Sequence, residues 1–88
     1  KLNDDVGKAY SYNFLGDIYT LQKNFAEAEN YLLQSLALRR QIKDSFSIAL
    51  SHGDLGYLYK EQGKFEKAME QYNLSNKIAV DMGYADLL

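Results

Sequence analysis

Apolar residues recur at intervals of three and four along almost the whole chain, the spacing that places side chains on one face of an α-helix. Polar breaks divide the pattern into four stretches, and period-two alternation and proline are both absent. The stripes contain Val6, Ala9, Tyr12, Leu15, Ile18, Tyr19 and Gln22; Phe25, Ala28, Leu32, Ser35 and Leu36; Ala49, His52, Leu55, Gly56 and Tyr59; and Phe65, Ala68, Tyr72, Ser75, Ile78 and Ala79. The sequence therefore predicts an all-α protein of four helices, with Asp4 or Asp5 capping the first and Ser45 the third.

The second half of the chain repeats the first at an offset of forty positions. Identical residues coincide at Ala9/Ala49, Ser11/Ser51, Leu15/Leu55, Gly16/Gly56, Tyr19/Tyr59, Gln22/Gln62, Phe25/Phe65, Ala28/Ala68 and Ser35/Ser75. These matches fall in helical steps, so each copy is interpreted as one pair of helices. We expect a single segment over 1–88, with repeats at about 5–44 and 45–84, and with 85–88 as a tail or the start of a third repeat.

Glycines inside the predicted helices need a packing reason, because Gly costs about 1 kcal/mol relative to Ala in a helix interior. Gly16 and Gly56 share one repeat position, and Ala28 and Ala68 share another on the following helix. We expect these small residues to face each other and bring the paired helices close together. The aromatic residues expected to fill the space beside them are Tyr19, Tyr59, Phe25 and Phe65.

The repeated order of Leu-Gly, then Tyr, an aromatic residue and Ala resembles the tetratricopeptide repeat. It occurs as Leu15-Gly16, Tyr19, Phe25 and Ala28, and again as Leu55-Gly56, Tyr59, Phe65 and Ala68. The forty-residue period is similar to the longer repeats of kinesin light chains, Leu-Gly-Asn polarity scaffolds and many bacterial regulators, although the Asn of the Leu-Gly-Asn triplet is absent. The resemblance implies an α-solenoid of antiparallel helix pairs that binds proteins and performs no chemistry.

Composition and charge narrow the classes of partner that the chain could bind. Ten basic and twelve acidic residues give a net charge of -2, which offers no general attraction to nucleic acid or to an anionic membrane. No apolar run approaches the roughly 20 residues of a membrane span. The absence of cysteine suits a reducing compartment, so the cytoplasm is the default prediction.

No constellation for catalysis, metal binding or cofactor binding is recognisable. His52 stands alone, and we interpret it as a histidine packed between helices. Gly63-Lys64 lacks the Ser or Thr and the glycine spacing of a phosphate loop, so it is interpreted as a helix–helix turn. Arg39-Arg40 is interpreted as a solvated helix end. The chain is predicted not to be an enzyme and to need no cofactor or metal.

By the resemblance, the concave face of the solenoid would form the binding groove. The exposed concave positions fall on Tyr10, Asn13, Phe14, Asp17 and Thr20 in the first repeat, and on Leu50, Gly53, Asp54, Tyr57 and Lys60 in the second. Tyr and Asn suit an extended peptide, whereas the two aspartates would repel a terminal carboxylate. We expect a neutral or basic protein segment as partner, rather than an acidic C-terminal tail.

Two alternatives stay open beside this interpretation. A longer array of such repeats in a bacterial signalling protein could bind a signal peptide or gate an attached effector domain. The chain also begins and ends at repeat joints, without dedicated polar caps. The uncovered face of the last helix, near Tyr72 and Ile78, is therefore expected to be covered by self-association through the uncapped repeat ends or by ordering of the tail.

Overall fold

The computed structural model describes residues 4–83, which form four α-helices connected by short turns. The helices are α1 (Asp5–Leu21), α2 (Phe25–Ile42), α3 (Ser45–Glu61) and α4 (Phe65–Asp81). Helix α1 packs mainly on α2 and α3 mainly on α4, while α2 and α3 join the two pairs. No strand occurs within the described part of the chain. The predicted all-α class and the paired helices are confirmed, and the predicted tail at 85–88 lies outside the described residues.

An aspartate caps the first helix of each pair. Oδ1 of Asp4 accepts a hydrogen bond from the backbone amide of Gly7 at 3.0 Å. Asp44 accepts from the amide of Ser47 at 3.5 Å and from the Ser47 hydroxyl at 2.8 Å. The bond from the Ser47 side chain lowers the pKa of Asp44. The cap of α3 is therefore Asp44 and not Ser45, because its carboxylate reaches the free amides of the first turn.

Left-handed residues end the helices at corresponding places in the two repeats. Lys23 and Gly63 follow the first helix of each pair with φ of 63° and 79°, and Lys43 and Gly83 follow the second with φ of 64° and 84°. This conformation is easy for glycine and costs a side-chain-bearing residue free energy. The interpretation of Gly63-Lys64 as a turn between helices is confirmed.

The core lies between the two helix pairs. Its buried members are Ala28, Leu32, Leu36, Leu55, Leu58, Tyr59 and Ala68, and Tyr19, Phe25 and Ile48 pack against them. The expected filling by Phe65 is wrong, because 68% of that residue is exposed. Phe65 begins the last described helix, and no described element follows to cover it.

Each of the two repeated glycines lies against a large side chain of the following helix, Leu32 for Gly16 and Tyr72 for Gly56. A Cβ on Gly16 would lie 2.5 Å from Cδ2 of Leu32, and one on Gly56 would lie 2.8 Å from the ring of Tyr72. The backbone oxygen of Ala28 also lies near Gly16, at 3.3 Å from that Cβ position. Close approach is confirmed, but the residue pressed against each glycine is the bulky one four positions after the expected alanine.

His52 is buried, as expected for a structural residue. Its Nδ1 donates a hydrogen bond to Oε1 of Gln71 at 2.8 Å, since a carbonyl oxygen can only accept. Helices α3 and α4 are thereby linked through their side chains.

Candidate functional site

A groove of about 270 Å³ opens between α1 and α3, bordered by one side chain from α2. We call it the α1–α3 groove; its lining residues are Tyr10, Asn13, Phe14, Asp17, Arg39, Leu50 and Asp54. All of them except Arg39 are positions that the sequence predicts for the concave surface. The structure therefore brings most of the predicted set to one place.

Exposed apolar side chains stand around this groove. Tyr10 is 56% exposed, Phe14 65% and Leu50 42%. Each has a helical position and so a fixed backbone, which makes the surface preorganised for contact with another chain. Aromatic side chains of this kind supply much of the binding energy at protein interfaces.

An amide and two carboxylates form a polar centre between these apolar residues. Nδ2 of Asn13 donates to Oδ2 of Asp54 at 2.6 Å and lies 3.5 Å from Oδ2 of Asp17. The shorter bond joins α1 to α3 across the repeat boundary. Both carboxylates remain acceptors for a further donor, because each carboxylate has about four lone-pair positions.

Burial disfavours the charged form of both carboxylates. Burial raises the pKa of Asp17 to about 6, the negative charge of Asp54 adds to the rise, and Arg39 opposes it. Burial also raises the pKa of Asp54, while the hydrogen bond from Asn13 and the charge of Arg39 act in the other direction. A cation placed between the two aspartates would relieve this repulsion.

Arg39 is part of the site and was missed by sequence reasoning. The prediction of a solvated helix end is wrong for this residue, which is only 3% exposed. Its Nη1 donates to Oγ of Ser51 at 2.8 Å, to the carbonyl of Ser47 at 3.3 Å and to Oδ1 of Asn13 at 3.4 Å. Its guanidinium also lies 5.2 Å from the ring centroid of Tyr10.

A signal for this burial was present in the sequence. Arg39 lies three residues after Leu36 and therefore continues the apolar stripe of α2. Its neighbour Arg40 leaves that stripe and is exposed. A basic residue at a stripe position needs buried hydrogen-bond acceptors, and α3 supplies them.

Four of the ten predicted concave positions do not line the groove: Thr20, Gly53, Tyr57 and Lys60. Thr20 is buried, and its hydroxyl donates to the carbonyl of Gly16 at 2.8 Å, so the expectation that it is exposed is wrong. A Thr in a helix commonly satisfies its hydroxyl in this way. Tyr57 is partly buried, and Nζ of Lys60 lies 5.2 Å from its ring centroid. These two form a contact of their own farther along α3.

A second space, of about 330 Å³, adjoins the groove. We call it the α4-side cavity; it is lined by Phe46, Ala49, Leu50, Gly53, Asp54, Ser75, Ala79 and Met82. Leu50 and Asp54 border both spaces, so the two follow one another along α3. Of the predicted concave positions, Gly53 lies here.

The described residues show neither a metal cluster nor a membrane-spanning helix. Within residues 4–83, no cluster of three His, Cys, Asp or Glu residues is arranged to hold a metal ion. None of the described helices is both long and apolar enough to cross a membrane.

The helix pairs and their repeated contacts agree with a family comparison. A tetratricopeptide-repeat model matches residues 6–79, and the chain belongs to this family. Tetratricopeptide repeats generally mediate protein–protein interaction and are typically not catalytic. The comparisons with curated proteins and with solved structures return no match.

Proposed function

We propose that this chain is a non-catalytic interaction module that binds a peptide or helix of another protein in the α1–α3 groove. The observation that carries the proposal is the pairing of exposed apolar side chains with two partly buried carboxylates, which share the groove with one basic side chain, Arg39. Neither Asp17 nor Asp54 forms an ion pair with a basic side chain among residues 4–83. Tyr10, Phe14 and Leu50 supply apolar contact around them.

The charge of the groove supports a neutral or basic partner segment. Two partly buried carboxylates with raised pKa values repel an acidic peptide and attract a lysine or arginine. Arg39 weakens this preference without reversing it, because its single positive charge stands against two carboxylates. An acidic C-terminal tail is thus a poor ligand.

The test is a peptide array of acidic, neutral and basic segments, read at two salt concentrations. We expect basic segments to bind, and we expect Asp17→Asn with Asp54→Asn to weaken them about tenfold. Glu70→Gln, which removes one charge from the exposed surface of α4, is the matched control and should change little. Equal binding of acidic segments, or no effect of the aspartate variants, would contradict the proposal.

A regulatory role in a bacterial signalling protein stays a prediction beside this one. In that role, a longer array of such repeats binds a signal peptide or gates an attached effector domain. Location in the cytoplasm likewise stays a prediction.

A further inference from the structure

The side-chain amide of Asn13 faces a donor on one side and acceptors on the other. Its Oδ1 accepts a hydrogen bond from Nη1 of Arg39 at 3.4 Å. Its Nδ2 lies 2.6 Å from Oδ2 of Asp54 and 3.5 Å from Oδ2 of Asp17. An arginine can only donate and an ionised carboxylate can only accept, so one orientation of the amide satisfies all three neighbours. Arg39 therefore fixes the direction in which Asn13 presents its donor.

The arginine that aligns this amide is itself held in place. Its Nη1 donates to Oγ of Ser51 at 2.8 Å, and the residue is only 3% exposed. A buried guanidinium cannot leave its acceptors without a cost in free energy. The contacts thus run from Ser51 on α3 through Arg39 and Asn13 to Asp54, again on α3. We call these four residues the polar network.

The polar network occurs once, although the sequence repeats after forty positions. Asn13 and Arg39 correspond to Gly53 and Ala79, which carry no polar side chain. Helices α3 and α4 nevertheless pack together as α1 and α2 do. The polar network is therefore not required to form a helix pair.

A hydrogen bond that belongs to helix pairing is, by contrast, present in both repeats. The hydroxyl of Ser35 donates to the carbonyl of Ala9 at 2.8 Å, and that of Ser75 donates to the carbonyl of Ala49 at 2.9 Å. The polar network lacks such a copy and lies along the α1–α3 groove. Its place in the molecule associates it with that groove.

The polar network affects the charge of Asp54. Burial raises the pKa of Asp54, whereas the hydrogen bond from Asn13 and the charge of Arg39 lower it. The other ionisable residues that line the groove are Asp17 and Tyr10 on α1, and the described residues of α4 beside Asp54 carry no charge. Two neighbouring carboxylates tend to share one proton. The donor of Asn13 favours the state in which both are ionised.

We infer that Asn13, aligned by Arg39, is a positioning residue that holds Asp54 in place for the basic side chain of the partner segment. This inference rests on the proposed function and deepens it. Asp17 accepts only the longer contact from the same amide, so more of its acceptor capacity is left for the partner. The basic side chain thus contacts Asp17, and Asp54 supplies a second negative charge at a fixed position.

The first measurement is an NMR titration of the Asp54 side-chain carboxyl carbon, which needs no peptide. Asn13→Ala removes the amide and keeps a good helix former. Asn73→Ala, on the exposed surface of α4, is the matched control. We expect the pKa of Asp54 to rise in Asn13→Ala and to stay unchanged in Asn73→Ala, because the amide hydrogen bond stabilises the charged form. Circular dichroism checks that both variants remain helical.

The second measurement is the affinity of a basic peptide from the array, with both ends blocked, at pH 7 and at pH 8.5. We expect Asn13→Ala to weaken binding about fivefold at pH 7 and less at pH 8.5, because Asp54 regains its charge as pH rises. Asn73→Ala should bind like the unchanged protein. In an Asp54→Asn background, Asn13→Ala should have no pH-dependent effect, since the charge that it holds is absent.

The outcomes separate this inference from the proposed function. An unchanged pKa of Asp54, or an equal loss of affinity at both pH values, would show a merely structural role for Asn13 and overturn the inference alone. Stronger binding by Asn13→Ala would also overturn it, since the amide would then compete with the basic side chain. Failure of every basic peptide to bind, or no effect of changing Asp17 and Asp54, would overturn the proposed function and this inference with it, whatever the titration shows.

Discussion

Nη1 of Arg39 lies 2.8 Å from Oγ of Ser51, and this buried contact ties the first helix pair to the second. The same guanidinium reaches the carbonyl of Ser47 one turn earlier on α3. One side chain of α2 thus helps to fix the position of α3 against the first helix pair. The position of Asp54 in the α1–α3 groove depends on that placement.

Replacing Arg39 tests this role. Arg39→Ala removes the hydrogen bonds and the packed stem and leaves Ser51 and Ser47 with buried oxygens lacking this donor. We expect the free energy of unfolding to fall by about 2 kcal/mol. Arg40→Ala, on the exposed side of the same helix, should change it by less than about 0.5 kcal/mol. Equal effects in urea denaturation would show that the buried contact is not important for stability.

The two repeated glycines should respond differently to alanine. In Gly16→Ala the new Cβ would meet Leu32, which is buried in the core and cannot move away. In Gly56→Ala it would meet Tyr72, which is 38% exposed and can turn outward. We expect Gly16→Ala to cost about 1–3 kcal/mol and Gly56→Ala to be nearly neutral, since alanine also favours the helix. Thermal unfolding of the two variants measures the difference, and a larger loss for Gly56→Ala would contradict this account.

Lys23 and Gly63 provide a reciprocal test of the helix ends. Both have positive φ, and only glycine adopts it without a steric cost. Lys23→Gly should stabilise the fold by about 0.5–1 kcal/mol, and Gly63→Lys should destabilise it by a similar amount. Denaturant midpoints of the two variants should move in opposite directions; movement in the same direction would show that charge or tertiary contacts at these turns dominate.

The raised pKa of Asp17 predicts that stability and peptide affinity change in opposite directions with pH. Its folded-state pKa of about 6 lies above the ordinary value of 3.8, so the folded state holds the proton more tightly. Ionisation therefore opposes folding, and the free energy of unfolding should rise as pH falls from 7 through 6, by about 1 kcal/mol because the side chain is partly solvated. Affinity for a basic peptide should fall over the same range, since protonation removes the charge it binds.

The matched measurement compares the unchanged protein with Asp17→Asn between pH 5 and 7. The variant should lose this contribution to both pH dependences. Asp44, whose pKa is lowered, contributes only at more acidic pH and does not interfere. If the part of the pH dependence that Asp17→Asn removes has the same sign for stability and for affinity, the assignment of this carboxylate to the groove is contradicted.

Self-association through the end of the array remains a prediction. Helix α4 buries only Ala68 in the described structure, and Phe65 and Met69 are 68% and 60% exposed. Such a surface favours contact with a second copy. Sedimentation at micromolar concentration should show dimers or larger species, and Phe65→Ser with Met69→Ser should reduce them. A fully helical monomer at that concentration would count against the prediction.

The sequence predicted the helices because their apolar spacing is regular and no proline interrupts it. The resemblance to the tetratricopeptide repeat assigned Tyr10, Asn13, Asp17 and Asp54 to the concave side, and these four residues line one groove in the structure. What the sequence could not predict is how side chains pair across the helices. The stripe position of Arg39 indicates burial, but the acceptors that it binds on α3 are known only from the structure.

The remaining errors have the same origin. Thr20 was expected to be exposed because of its register. It can be buried because its hydroxyl donates a hydrogen bond to the carbonyl of Gly16 on the preceding turn. Phe65 was expected to pack like Phe25, but burial depends on the neighbouring helix and not on the repeat position alone. The repeat register predicts on which side of a helix a residue lies. Its burial depends on whether another helix packs against that side.

The most direct test of the account is to map a bound basic peptide on the protein by backbone amide chemical shifts. We predict that the largest changes fall on the residues of the α1–α3 groove, above all around Asn13, Asp17 and Asp54, and that they disappear in the Asp17→Asn, Asp54→Asn double variant. Changes centred on the exposed outer surface of α4, and kept in the double variant, would contradict the central claim that this groove is the binding site.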